Sequence, residues 1–262
     1  MAIGEYTRAI ELNPDFTFAY FERGYSYNQL GQDQNAINDY NKVIQLDPNY
    51  DMAYNNRGWS YGLLGQDQNA INDYTIAIQL DPDHAFAYGN RGNAYYALGQ
   101  YQLSINDYTM AIQLDPRTVD HDTYYMRGDS YLKLGQYQLA ILDFEKAIDL
   151  SPDFDLAYYS WGSAYFHQGD YEMAILGYDV AIALDPSFAS STLLSSYHWR
   201  GLAQYNLEEY QLAIQDYDMA IQLEPDVALY YDNRGNIYTW LDQFTEAEAD
   251  WAKACSLDSQ YC

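Results

Sequence analysis

The groups in this chain able to hold a metal or move a proton are four histidines, two cysteines and 38 carboxylates, spread over 262 residues. Metal sites and catalytic dyads need such groups at short, fixed spacings. His84, His121, His167 and His198 form no i, i+4 pair, and Cys255 and Cys262 form no Cys-x-x-Cys. The two thiols are expected to be free, with a terminal disulfide as the alternative. No glycine-rich phosphate loop, no Gly-x-Ser-x-Gly elbow and no calcium-loop spacing occurs. Asp47, Asp81, Asp115 and Asp185 all belong to one recurring turn, so repetition accounts for them. The expectation is a protein that is not an enzyme, with no metal and no cofactor.

What remains is charge. Twelve basic side chains against 38 acidic ones leave a formal charge of −26. A field of that sign repels phosphate backbones and acidic membranes, which argues against nucleic acid and favours cationic or neutral partners. No run of about 18 apolar residues is present, so no membrane insertion is expected. Met1-Ala2-Ile3-Gly4-Glu5 lacks the basic and then apolar layout of a signal peptide. A cytoplasmic location follows as the expectation.

The elements that position these groups are visible through the prolines. Pro14, Pro48, Pro82, Pro116, Pro152, Pro186 and Pro225 recur at intervals of 34, 34, 34, 36, 34 and 39 residues. Gly24, Gly58, Gly92, Gly128, Gly162, Gly201 and Gly235 echo them. A fixed period of this length marks stacked supersecondary units. Each repeat reads as two helices, broken at Leu-Gly-Gln (Leu30-Gly31-Gln32, Leu98-Gly99-Gln100) and stopped at Leu-Asp-Pro (Leu46-Asp47-Pro48). Full repeats span 17–50, 51–84, 85–118, 121–154, 155–188, 194–227 and 228–261, after a half repeat at 1–16. The expected fold is all-α, a single array over residues 1–262.

The run Ala87-Tyr88-Gly89-Asn90-Arg91-Gly92-Asn93-Ala94-Tyr95-Tyr96-Ala97-Leu98-Gly99, followed by Ala111-Ile112-Gln113-Leu114-Asp115-Pro116, resembles the tetratricopeptide repeat family. The resemblance is to an array of bacterial type and covers nearly the whole chain. The family's usual tryptophan near the start of the repeat is tyrosine throughout this sequence. The resemblance implies a right-handed superhelical solenoid of antiparallel helix pairs, with the first helix of each pair on the concave side. It also implies a scaffold that holds other proteins or peptides.

Packing needs explain most of the recurring residues. The glycines are expected to face Ala36, Ala70, Ser104, Ala140, Ala174, Ala213 and Ala247 across each hairpin. Nineteen of the 31 tyrosines fall at three recurring places, filling gaps between repeats. Arg23, Arg57, Arg91, Arg127, Arg200 and Arg234 precede the glycines, and Asp39, Asp73, Asp107, Asp143, Asp216 and Asp250 follow sixteen residues later. The fifth repeat has Trp161 and Gly177 in their stead. Their joint loss predicts an ion pair within each hairpin.

At the start, residues 2–14 read as a second helix without its first, leaving Ile3, Tyr6 and Ile10 poorly covered. A homo-oligomer docked through this uncapped helix is one expected association. Glu248 and Cys255 replace the isoleucines of earlier repeats, as a capping repeat requires. A natural C-terminus and a truncated or eroded N-terminus are therefore expected. Val119-Asp120 and Ala189-Ser190-Ser191-Thr192-Leu193 are insertions at repeat junctions, expected to lengthen a loop or a helix start.

The resemblance further implies ligand contacts at the second, fifth, ninth and twelfth to thirteenth residues of each repeat. Carried onto this chain, those places hold Phe18, Phe21, Tyr25 and Asn28; Asn55 and Trp59; Phe86, Asn93 and Tyr96; Asp122, Tyr125 and Asp129; Tyr159 and Phe166; and His198, Tyr205, Asp232 and Asn236. Aromatic rings supply contact area and amides can hydrogen-bond a peptide backbone. Chaperone-binding members of the family grip an acidic C-terminus with cations, whereas here Lys133 alone is basic at such a place. The expected partner is therefore a neutral, aromatic-rich or basic protein segment. Two alternatives stand beside a free-standing scaffold. One is a regulatory or targeting array cut from a larger protein; the other is a self-assembling oligomeric scaffold.

Overall fold

Leu-Gly-Gln and Leu-Asp-Pro cut the chain into helices where the period requires. The computed structural model describes residues 2–116, 119–184 and 191–262. Asp185, Pro186 and the Ala189-Ser190 half of the second insertion lie outside the described residues. The chain divides into two compact units, Met1–Leu134 and Gly135–Cys262. The division falls between the two helices of the fourth repeat.

The N-terminal unit contains α1 (Ala2–Leu12), α2 (Thr17–Asn28), α3 (Asp33–Leu46), α4 (Asp51–Leu63), α5 (Asp67–Leu80), α6 (Ala85–Ala97), α7 (Tyr101–Leu114) and α8 (His121–Lys133). Each packs on the next, and the first helices α2, α4, α6 and α8 also touch in series. The C-terminal unit contains α9 (Tyr137–Leu150), α10 (Asp155–Gln168), α11 (Tyr171–Leu184), α12 (Ser191–Asn206), α13 (Tyr210–Leu223), α14 (Ala228–Trp240), α15 (Phe244–Leu257) and a 3-10 turn, Ser259–Tyr261. Neighbours in sequence again pack together, and α10 touches α12. No strand occurs among the described residues.

First helices stop because the chain turns left-handed. Gly31, Gly65, Gly99, Gly135 and Gly169 have φ between +66° and +89°. The Gln32 N–H then donates back to the Tyr27 carbonyl at 2.9 Å, satisfying an orphan acceptor of the last turn. Glu208 (φ +62°) and Asp242 (φ +57°) adopt the same conformation with a side chain attached. The first insertion supplies Asp120, which caps α8 by accepting from the Thr123 N–H at 3.1 Å. Of the second, Ser191, Thr192 and Leu193 extend α12 upstream rather than forming loop.

The glycines make room for a ring more than for an alanine. A Cβ on Gly24, Gly58 or Gly92 would lie 2.9, 2.8 or 3.0 Å from Tyr40, Tyr74 or Tyr108. Close second-helix backbone joins in at Gly162, Gly201 and Gly235, where the Ala174, Ala213 and Ala247 carbonyls lie nearby. Tyr40, Tyr108, Tyr178, Tyr217 and Phe144 are fully buried, with Tyr74 nearly so. These are the core residues around which each hairpin closes.

The hairpin ion pairs form as expected for Arg23–Asp39, Arg57–Asp73, Arg91–Asp107, Arg200–Asp216 and Arg234–Asp250, at 2.5 to 2.7 Å. A third helix also takes part. The remaining guanidinium nitrogen donates to Thr7, Asn41, Thr75, Thr109, Asp179 or Asp218 on the preceding second helix. Tyrosines one turn before and after flank the guanidinium, as Tyr88 and Tyr95 do for Arg91 at 5.6 and 5.8 Å. Arg23, Arg57, Arg91, Arg200 and Arg234 thus each cross-link two repeats as well as one hairpin. In the fifth repeat Gly177 packs against the Gly162 backbone and the Trp161 ring, where a Cβ would meet atoms at 2.8 to 2.9 Å. Close apolar packing replaces the buried charges there.

The expectation of free thiols is corrected, because Cys255 and Cys262 form a disulfide. The 3-10 turn brings the chain end back along α15 and sets the two Cα atoms 4.7 Å apart, inside the range a disulfide spans.

Candidate binding faces

Several residues expected to meet a ligand are held by the protein itself. Asn28 accepts from the Tyr40 hydroxyl at 2.9 Å and donates to Asp33 and Ser60 at 2.9 and 2.8 Å. Asn93 accepts from the Tyr108 hydroxyl. A buried phenol must find a partner, and these amides supply it. Burial holds the Tyr40 and Tyr108 phenols well above their ordinary pKa, so each stays a donor. Asn55 accepts from Asn90 at 3.1 Å across α4 and α6. Tyr96 donates to Asp129, which is buried on α8. Burial, with the Asp129 carboxylate adding to it, pushes the Tyr96 phenol up.

Others are packed as rings. Phe21 lies 5.1 Å from Tyr50 and 5.9 Å from Tyr40. Tyr125 is half-buried on α8. Tyr159 leans on Tyr178 at 5.8 Å, and Phe166 on Trp199 at 5.1 Å. His198 sits among Trp199, Tyr217 and Tyr230, its Nδ1 shielded from solvent and without a hydrogen bond. Burial lowers its pKa below the ordinary imidazole value.

A smaller set faces solvent. Phe18, Tyr25, Trp59 and Phe86 are exposed, the last by 67 %. In the N-terminal unit, Trp59, Phe86, Asn90, Asn93, Asp122 and Met126 line a hollow of about 290 Å³ between α4, α6 and α8. A second hollow of about 160 Å³ shares Trp59, Asn90 and Asn93 and reaches Asp67 and Tyr74. In the C-terminal unit, Tyr205, Tyr217, Asn233, Asn236, Trp240 and Trp251 line a hollow of about 450 Å³. Its rim is built by Trp240 Nε1 donating to the Tyr205 hydroxyl at 3.0 Å, with the Tyr210 ring stacked on Trp240 at 6.4 Å. Asn236 donates to Asp232 at 3.2 Å beside it. The Tyr217 hydroxyl is buried and makes no well-formed hydrogen bond, although Asn233 is close enough to bear on its ionisation. What these walls can do chemically is stack on rings and aliphatic chains and hydrogen-bond amides.

Sequence spacing missed Tyr217 and Trp251 as lining residues. Trp251 carried a signal: it stands where five other repeats place a core tyrosine.

Similarity to known proteins agrees with this architecture. A profile described as "TPR repeat" matches residues 24–65 and 128–169. Profiles described as "Tetratricopeptide repeat" match 5–38, 52–84, 85–117, 155–188 and 195–227. No curated protein sequence matches. Among solved structures, YrrB, described as a TPR protein with an unusual peptide-binding site, is 22 % identical with a TM-score of 0.65, over 73 % of this chain and 95 % of that one. The MamA protein is 32 % identical with a TM-score of 0.60, over 64 % and 91 %. The C-terminal part of a TPR repeat-containing protein from Cytophaga hutchinsonii is 22 % identical with a TM-score of 0.71, over 91 % and 95 %. Among the described residues no helix is long and apolar enough to cross a membrane. The phase, the helix pairs and the profile matches carry one conclusion: this chain belongs to the tetratricopeptide repeat family, whose members mediate protein–protein interactions.

Proposed function

We propose that the chain is a scaffold that binds protein or peptide segments along the first-helix face of its repeats, each unit offering an aromatic and acidic hollow. The observation that carries this reading is the exposure of Trp59 and Phe86 around Asn90 and Asn93. Large rings left in water beside amides match the composition of protein-binding hot spots. Trp240 over Tyr205 and Asn236 repeats that chemistry in the C-terminal unit. Half of the twelve basic side chains are the recurring arginines, and five of these are paired with an aspartate of their own hairpin. The rest of the surface is therefore strongly acidic, with Asp120 and Asp122 at the N-terminal hollow. A basic or neutral aromatic segment is the partner this favours. The unusual peptide-binding site of YrrB, a protein of the same fold, agrees with the peptide half of this reading.

The test is a panel of short peptides, basic–aromatic, neutral–aromatic and acidic, titrated against the whole chain by tryptophan fluorescence and calorimetry. Basic or neutral aromatic peptides should bind, and Trp59→Ala/Phe86→Ala should weaken that binding by about tenfold or more. Preference for acidic peptides, or unchanged affinity in the double variant, overturns the proposal. Sedimentation of the same samples addresses association through α1, on which Ile3, Tyr6 and Ile10 are each only half-covered.

A further inference from the structure

The junction between the second and third repeats gathers three ligating side chains, the recurring turn aspartate Asp81 together with Asp51 and a histidine, His84, that no other repeat has at its place. Asp51 is the first residue of α4, Asp81 ends α5, and His84 precedes α6. One oxygen from each carboxylate and one imidazole nitrogen lie within 4.8 Å of one another. Among the described residues no other trio of His, Cys, Asp or Glu does so. His84 Nδ1 stands 3.2 Å from Asp51 Oδ2. That nitrogen is sealed from solvent, yet its geometry towards the oxygen is not that of a hydrogen bond. Asp81 is held in place by accepting from the Asp83 N–H at 3.1 Å.

Ligands about 2.1 Å from a common ion stand roughly 3.0–3.4 Å apart in octahedral or tetrahedral geometry. The Nδ1 to Oδ2 distance falls in that interval, which explains a close approach without a hydrogen bond. Asp81 recurs with the turn and Asp155 repeats Asp51 in the fifth repeat, but His84 is particular to this junction: Tyr50, Phe154, Val227 and Tyr261 take its place elsewhere, and Thr17, Ala85 and Ala228 that of Asp51. Two carboxylates and a neutral imidazole balance a divalent charge, and an imidazole in the set selects a transition cation over magnesium or calcium. The net charge of −26 draws such a cation to the chain.

We propose that Asp51, Asp81 and His84 form a binding site for a divalent transition cation of the zinc class, its remaining positions filled by water. The ion ties the start of α4 to the end of α5 and the start of α6, and so locks the second hairpin onto the third. This assignment does not rest on the peptide reading above.

The whole chain, stripped with chelator and kept oxidised so that Cys255 and Cys262 cannot ligate, is titrated with ZnCl₂ and with MgCl₂ by calorimetry, and its thermal melt is followed with each. Zinc is expected to bind one to one and to raise the melting temperature. His84→Gln and Asp51→Asn, each checked for unchanged helical circular dichroism, should weaken binding by about tenfold or more and lose the thermal shift. His121→Gln should behave as the parent, since among the described residues His121 belongs to no such trio. Equal zinc affinity in the parent and His84→Gln, no saturable uptake by the parent, or magnesium binding as tight as zinc overturns the assignment.

Discussion

Replacing Arg91 by alanine removes a cation to which three helices are tied. Its Nε and Nη2 donate to Asp107 Oδ2 and Oδ1 at 2.7 and 2.8 Å, and Nη1 donates to Thr75 Oγ1 at 3.1 Å. Burial by itself would lower the arginine pKa, yet the Asp107 hydrogen bonds and charge outweigh it and raise it. Asp107 is 5 % exposed. Without Arg91 that carboxylate must stay charged in a poor solvent or take up a proton. Protonating a carboxyl of ordinary pKa at pH 7 costs about 4 kcal/mol, which caps the penalty. Losing one partner of a buried pair costs about 3–5 kcal/mol, and water entering the vacated space relieves part of it. We expect a loss of about 3 kcal/mol, or roughly 6–12 °C in melting temperature. Proton uptake by the stranded carboxylate costs less as pH falls, so the variant recovers stability relative to the parent. At pH 5 the cap drops to about 1.4 kcal/mol, and the loss relative to the parent should shrink. Urea unfolding followed by helical circular dichroism at pH 7 and 5 measures both effects. Lys42→Ala is the reference, because half-buried Lys42 carries no ion pair among the described residues and its ammonium reaches Gln45 in an exposed hydrogen bond at 3.5 Å; it should cost under about 0.5 kcal/mol. Equal midpoints for the two variants, or a larger Arg91→Ala loss at pH 5 than at pH 7, refute the reasoning.

Gly177→Ala should destabilise the chain by roughly 2 kcal/mol or more, because its Cβ would strike the Gly162 backbone at 2.8 Å. Gly89→Ala, with nothing within 4 Å in the middle of α6, should instead stabilise by about 0.5–1 kcal/mol; thermal melts compare the pair. Glu208→Gly should raise the melting temperature, since a side chain at φ +62° carries a cost of about 1 kcal/mol. Because burial lowers the His198 pKa, the unfolded chain takes up a proton that the folded one resists. Stability should therefore fall as pH drops below about 6.5, at no more than about 1.4 kcal/mol per pH unit, and His198→Phe should flatten that part of the melting-temperature profile.

The prolines and glycines made the helix pairs legible, since each punctuates the backbone by its own steric rule, independent of distant residues. The joint absence of arginine and aspartate from the fifth repeat exposed the hairpin ion pair in the same local way. The candidate site was less legible. Asn28 and Asn93 look from spacing like free peptide-binding amides, and Asp129 like a free charge. The structure engages them with Tyr40, Tyr108 and Tyr96, because burying a phenol obliges some nearby acceptor to turn inward.

What the linear order determined by itself was the period, the helix ends and the sign of the surface charge, all properties of short windows or of composition. Tertiary structure alone decided which residues at equivalent places are consumed and which are left in water. Asn93 is taken up by the Tyr108 hydroxyl, while Trp59 and Phe86 remain exposed above it. It alone brought Asp51, Asp81 and His84 together and paired Cys255 with Cys262. Those meetings depend on how a turn returns the chain onto its neighbour, a relation between segments that no window of sequence contains.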